Sequence, residues 1–213
     1  MSEHESAGLS PRDAWATLAE GNERFIAGEP AHPHQGVDRR DELTGGQQPI
    51  AAILGCSDSR VTPEIVFDTG LGDVFVTRNA GQVVSDSVLG TLEYAVGVLG
   101  VPVIVVLGHS SCGAVAAAIG QAGPEPAELS FHLQGLIAQI VPDVAKARGG
   151  SAEGGAPDPA TVGHTHVESS VGALLEKSIV ISDAVAGGTV AVIGATYDLA
   201  TGRVDPHTVV GTL

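Results

Sequence analysis

Four apolar runs, at residues 50–54, 74–77, 102–107 and 189–193, punctuate the chain. None of them alternates with polar residues. Continuous hydrophobicity of this length predicts strands covered on both faces, as in a parallel sheet. Between the second and third runs, "SDSVLGTLEYAVGVLG" places Val88, Leu89, Leu92, Ala95, Val96 and Leu99 on one helical stripe. A strand, a helix and a strand in that order predict a right-handed βαβ crossover. A short final run from Arg203–Val204, after the turn "DLATGRV", predicts an edge strand added by a hairpin.

The first element precedes all of these. In "SPRDAWATLAEGNERFIAGEP", Ser10 is placed to cap, Pro11 suits the first helical position, and Asp13 sits near the positive end of the dipole. Trp15, Leu18, Phe25 and Ile26 recur at helical spacing, and Gly28 and Pro30 mark the stop. This helical arm, about residues 10–28, either lies across its own domain or reaches onto a partner subunit. "AHPHQGVDRRDELTGGQQP" reads as loop, short polar helix and loop. Further helical signals occupy about 126–147 and 167–186. Between them, "RGGSAEGGAPDPATVGHTH" is rich in Gly, Ala and Pro and predicts a mobile surface connection over about 148–166. The prediction is one α/β domain over residues 1–213. It has a mostly parallel central β-sheet of about four strands plus an edge strand, flanked by helices.

Composition narrows the function. Hydrophobic residues make up 43% of the 213 and charged ones 16%, the balance of a folded globule. So little charge also leans towards burial of surface between subunits. A net charge of −15 repels phosphate backbones and anionic headgroups, which argues against nucleic acid and membrane partners. The polar, acidic start has no signal-peptide pattern, and the longest apolar run is too short to span a bilayer, so the expected location is cytoplasmic. In that compartment the two cysteines read as thiols or metal ligands rather than a structural disulfide.

Their surroundings favour metal. "AAILGCSDSRV" ends an apolar run in glycine and then sets Cys56, Asp58 and Arg60 at alternate positions, on one face of an extended segment. "VIVVLGHSSCGAV" does the same with His109 and Cys112. Both follow predicted strands, and strand ends of parallel sheets are where α/β proteins place their sites. Two thiolates and an imidazole form a zinc set, and three protein ligands leave a fourth position, as in catalytic zinc. Asp58 either takes that position or turns to Arg60 as a bidentate ion pair, leaving room for a water that zinc makes acidic. The plain alternatives are two inert buried thiols and an ordinary surface ion pair.

"CSDSR" followed by "HSSCG" resembles the β-class carbonic anhydrases, and so do "LAEGNERF", "GLGDVFVTRNAG", "VLGTLEYAV" and "GATYDLATGRV". The resemblance implies one zinc ion per chain on Cys56, His109 and Cys112, with Asp58 and Arg60 as a catalytic dyad. It implies reversible hydration of carbon dioxide to bicarbonate and a proton, by attack of a zinc-bound hydroxide. It also implies that Gln47 donates a hydrogen bond to substrate, and that Phe75, Tyr94 and Gly113 line a pocket at a cleft between subunits of a homodimer or tetramer. Some family members bind a regulatory bicarbonate with a tryptophan three positions before the first cysteine and an arginine matching Arg78. Here that first position is Ile53. Gln82 stands where asparagine is frequent.

The other histidines, His32, His34, His164 and His166, read as loop or surface residues, and Asp198 and Asp205 as turn formers around Gly202. Two rival functions share the motifs. One is hydrolysis of carbon disulfide or carbonyl sulfide on the same scaffold. The other is a non-catalytic zinc protein in which Asp58 permanently closes the site.

Overall fold

The computed structural model describes residues 8–149 and 157–213. A five-stranded sheet runs through the molecule in the order β2-β1-β3-β4-β5. Its strands are β1 Ala51–Cys56, β2 Val74–Asn79, β3 Val103–His109, β4 Ala191–Tyr197 and β5 Val204–Val210. The first four are parallel, and β5 closes one edge antiparallel to β4. All five predicted strands are present. The parallel ones run on at their C-terminal ends, so that Cys56 and His109 are the last residues of β1 and β3.

The unbroken apolar runs have a simple cause. Ala51, Ile53, Val103, Val105, Leu107, Ile193 and Ala195 face one cluster. Ala52, Leu54, Ile104, Val106 and Val192 face the other. Side chains alternate across a strand, so a strand covered on both sides must be apolar at every position. The first face packs against α1 Pro11–Ala27 and α3 Pro63–Val66. The second packs against α4 Asp86–Gly97, α8 Pro159–Lys177 and α9 Ile179–Ala186. A third cluster, formed by Cys56, Cys112, Val115, Ile137, Ile140 and Val144 among others, sits at the C-terminal end of the sheet. It includes α5 Gly113–Gln121, α6 Phe131–Ile137 and α7 Val141–Ala147. The short polar helix α2 spans Val37–Glu42.

The helical arm lies across its own domain. The Ser10 side chain accepts from the Asp13 amide at 3.2 Å, and Gly28 ends the helix at φ 72°. Gly21 allows contact with the chain below, since a Cβ there would stand 1.9 Å from the Phe67 carbonyl oxygen. Asn22, 3% exposed, donates to Val66 O and Gly202 O and accepts from Val204 N. Arg24 pairs with Asp68 at 2.6 Å. "GNERF" is thus the clamp that fixes the arm to the sheet's first face.

Four expectations need correction. The helical stretch at 126–147 is two helices, with Pro142 in the first turn of α7. The connection placed at 148–166 is too long: residues 150–156 lie outside the described residues, but α8 begins at Pro159, capped by Asp158 on the Thr161 amide. The Gly/Ala/Pro composition hid this start, although Asp-Pro followed by a helical pattern is an N-terminal signal. His166 is therefore a buried helical residue, 4% exposed, not a loop residue. Asp198 does form the turn, accepting from Ala200 N and Thr201 N, but Asp205 lies in β5 opposite Thr196.

Candidate metal centre

β1 and β3 are direct parallel neighbours, so their C-terminal ends emerge together. Cys56 closes one and His109 the other. A tight turn follows, with Ser111 at φ 55°, and Cys112 becomes the N-cap of α5. Topology alone brings the two motifs side by side. Ligating atoms of Cys56, His109 and Cys112 all lie within 4.8 Å of one another, and all three residues are buried. Both cysteines are free thiols. The His109 Nδ1 faces the Ser110 carbonyl at 3.0 Å, so it carries the hydrogen and leaves Nε2 bare. That Nε2 is buried and has no hydrogen-bond partner among the described residues. An unpartnered buried imidazole nitrogen facing two sulfurs is costly without a ligand between them. Tetrahedral zinc with Zn–S of about 2.3 Å needs donors roughly 3.4–3.8 Å apart, a spacing this cluster can meet. The residues fit the ion.

The titration pattern has the same origin. Cys56 is lowered, first by the hydrogen bond from the Cys112 thiol, against burial, then by His109 and the Gly81 and Asp58 amides. Cys112 is raised, by that same interaction with Cys56 and by burial. Burial pulls His109 down, but the Cys56 sulfur beside it more than offsets this and raises it. The three groups compete for protons that a metal ion would displace.

Asp58 stands next to the cluster and is held by Arg60. Its Oδ1 accepts from the Arg60 amide and Nε at 3.0 and 2.9 Å, and its Oδ2 from Nη2 at 2.7 Å. This fork holds the carboxyl well below the usual carboxylate range. Oδ2 is 3.9 Å from His109 Nε2, close to the cluster while committed to the guanidinium. Arg78, from β2, donates to the backbone carbonyls of Cys56 (2.8 Å) and Asp58 (2.7 Å). It therefore fixes the turn carrying both residues. Gly113 opens α5 directly after Cys112, beside the cluster.

Gln47, Phe75 and Tyr94 are elsewhere. Gln47 is exposed in the loop before β1, lining a cleft of about 1600 Å³ with Ile50, Val98 and Leu99. Phe75 is opposite Ala52 near the start of β2, and its ring meets Tyr94 at 6.0 Å. Cys56 is at the far end of β1, opposite Asn79 of β2. The five residue steps of β1 cover about 16 Å, so this chain does not bring Gln47 to its own metal cluster. Sequence reasoning missed the partners of Gly81, whose amide donates to Cys56 Sγ at 3.3 Å and whose carbonyl meets His166. No local pattern marks them, because Asp143, His166 and Gly81 are remote in sequence.

A mostly parallel α/β sheet thus carries, at its carboxyl edge, a buried Cys–His–Cys cluster that could hold a metal ion, beside a fork-held carboxylate. The family model described as carbonic anhydrase matches residues 51–204. Carbonic anhydrase 2 of Mycobacterium tuberculosis is 47% identical over 196 residues, covering 91% of each chain. The carbonic anhydrase of Mycolicibacterium smegmatis is 44% identical over 204 residues, covering 96% of this chain and 97% of that one. Among solved structures, a tetrameric β-carbonic anhydrase of Sordaria macrospora superposes with TM-score 0.69 at 28% identity, over 88% of this chain and 94% of that one. A Coccomyxa β-carbonic anhydrase in complex with acetazolamide gives 0.70 at 27%, over 96% and 88%. The chain belongs to the β-class carbonic anhydrase family, whose members are lyases that hydrate carbon dioxide.

Proposed function

We propose that the chain binds one zinc ion through Cys56, His109 and Cys112 and interconverts carbon dioxide and bicarbonate in an assembly of at least two copies. The observation that carries this is the bare, buried Nε2 of His109 facing two free thiols, with Asp58 held beside them. When bound, zinc would supply Lewis acidity that brings a water's pKa towards neutrality, as it does in carbonic anhydrases.

The protein's own groups do the rest. Arg60 keeps Asp58 ionised, so its carboxylate can only accept hydrogen bonds. With Oδ2 beside the cluster, Asp58 would accept a hydrogen bond from a water held there and so orient that water's lone pair towards the substrate carbon. Arg78 keeps the Cys56–Asp58 backbone from drifting. Val83, Val115, Ile137 and Ile140 pack together with the two cysteines, which suits a substrate without charge. Carbon dioxide and water yield bicarbonate and a proton, and the proton passes to buffer.

Gln47, Phe75 and Tyr94 serve the site of a second copy. They stand at the opposite end of the sheet from their own ligands, Tyr94 is 47% exposed, Val98 of the cleft is 66% exposed, and one family neighbour is a tetramer. In that setting the Gln47 amide donates to the substrate oxygen on which charge develops. Metal analysis combined with stopped-flow hydration across pH tests the proposal. Cys56→Ala and His109→Ala should lose zinc and activity together, and full activity in a metal-free variant would sink the mechanism. Parallel assays with carbonyl sulfide and carbon disulfide separate the rival substrates.

A further inference from the structure

One buried pair of charged-type side chains takes no part in this mechanism. Asp143 of α7 and His166 of α8 have side chains each 4% exposed and meet at 2.8 Å, Oδ2 to Nδ1. The other ring nitrogen, Nε2, donates to the carbonyl of Gly81 at 2.7 Å. The amide of the same Gly81 donates to Cys56 Sγ at 3.3 Å. A continuous line therefore runs from the Asp143 carboxylate through the imidazole and one glycine residue to a thiol of the metal cluster.

The local structure makes that line stiff. Gly81 sits at φ 75°, and a Cβ on it would stand 2.7 Å from Ile140 Cδ1 and 2.8 Å from Ala114 Cβ. The next residue, Gln82, is itself at φ 43° and 1% exposed. Glycine takes this conformation freely, but left-handed Gln82 stores strain, and something must hold the turn. Asn79 contributes from one side, its side chain bonding both the N–H and C=O of Val83. His166 is the side-chain hold on Gly81 itself. Asp143 is in turn fixed by Ser169 at 2.6 Å and flanked by Lys146 at 3.3 Å. Burial alone would raise Asp143, but the bonds from His166 and Ser169 overcome it and hold the carboxyl below its ordinary range.

We propose that His166, oriented by Asp143, is a positioning residue that aims the Gly81 amide at the Cys56 sulfur and so sets the metal-binding strength of that thiolate. An N–H directed at a thiolate stabilises its charge, and groups that orient metal ligands from behind commonly govern affinity. The inference rests on the metal site proposed above. The alternative is that the pair merely staples α8 to α7.

Two near-isosteric substitutions separate these. The terminal amide nitrogen of His166→Gln falls near the lost Nε2 and can still donate to Gly81. That of His166→Asn falls near Nδ1, keeps company with Asp143, and leaves the Gly81 carbonyl unpaired. The probe is cobalt(II), added to protein stripped of metal, read by its sulfur-to-cobalt charge-transfer band and by competition with a chelator. His166→Asn should bind cobalt roughly 10- to 100-fold more weakly and move the band to longer wavelength, while His166→Gln stays within about threefold of wild type. Equal behaviour of the two variants would overturn the proposal in favour of the staple. If His166→Asn does not fold, Asp143→Asn carries the test: the ring remains but loses the charge that orients it, and an unmoved band overturns the inference. Failure of the metal site itself looks different, since wild-type protein would then give no cobalt–thiolate band.

Discussion

Gln47 offers the sharpest test of how the site is assembled. Its loop precedes Ala51, whereas the ligand Cys56 ends the same strand. Five steps at about 3.3 Å separate the ends of β1 by roughly 16 Å, several times the reach of a glutamine side chain. A hydrogen bond from Gln47 to substrate must therefore cross between copies. Gln47→Ala should lower kcat about 10²- to 10³-fold, the usual cost of one lost donor to a developing oxyanion. Cys56→Ala should be inactive for lack of metal. Neither homo-oligomer works, but in a mixed assembly some sites pair the intact cluster of a Gln47→Ala chain with the intact glutamine of a Cys56→Ala chain. Random pairing at equal amounts makes about one site in four complete, so about a quarter of wild-type activity should return. The assay is stopped-flow hydration of co-expressed chains purified without selecting between them, with native mass spectrometry confirming mixing. Activity remaining at the parents' level in a demonstrably mixed sample would refute assembly across copies. Wild-type rates from Gln47→Ala alone would remove the residue from the site.

Two further outcomes follow from the carboxylates. Asp58→Asn should retain most of the metal, measured by atomic absorption, yet lose most hydration activity, because the amide is neutral and replaces one of the two oxygens that Arg60 holds with an NH2 donor; unchanged rates would make Asp58 a bystander. Asp143 has a folded-state pKa below its unfolded value of about 3.9, so its contribution to stability is fully present above that value and fades as pH falls through the lower one. Thermal melts of Asp143→Asn should accordingly fall short of wild type at pH 7 and approach it near pH 2, and a gap that persists undiminished in acid would refute the linkage.

Much of this was legible because the pattern is local. A strand covered on both faces must be apolar throughout, so residues 103–107 announced β3 without any partner in view. Ser10, Pro11 and Gly28 announced both ends of α1 because capping depends on neighbours three or four positions away. The ligand set was readable for a similar reason: "CSDSR" and "HSSC" each place their chemistry just past a strand. Where composition misled, at the start of α8, Gly and Ala were counted as loop although Asp158-Pro159 supplied a helix cap.

The extended run expected through Arg60 stops at Cys56 and gives way to a turn, in which Asp58 accepts from the Arg60 amide two residues on. By itself, then, the sequence determined which segments become strands and which residues have metal-ligating chemistry. Those properties belong to residues a few positions apart, where backbone periodicity dictates geometry. Tertiary structure alone decided that β1 and β3 are adjacent, so that Cys56 meets His109 and Cys112. It also decided that Gln47 lies at the other end of β1 from its own cluster and that His166 stands behind Gly81. Each of these is a meeting of remote segments, set by sheet order and helix packing, and no local pattern encodes it.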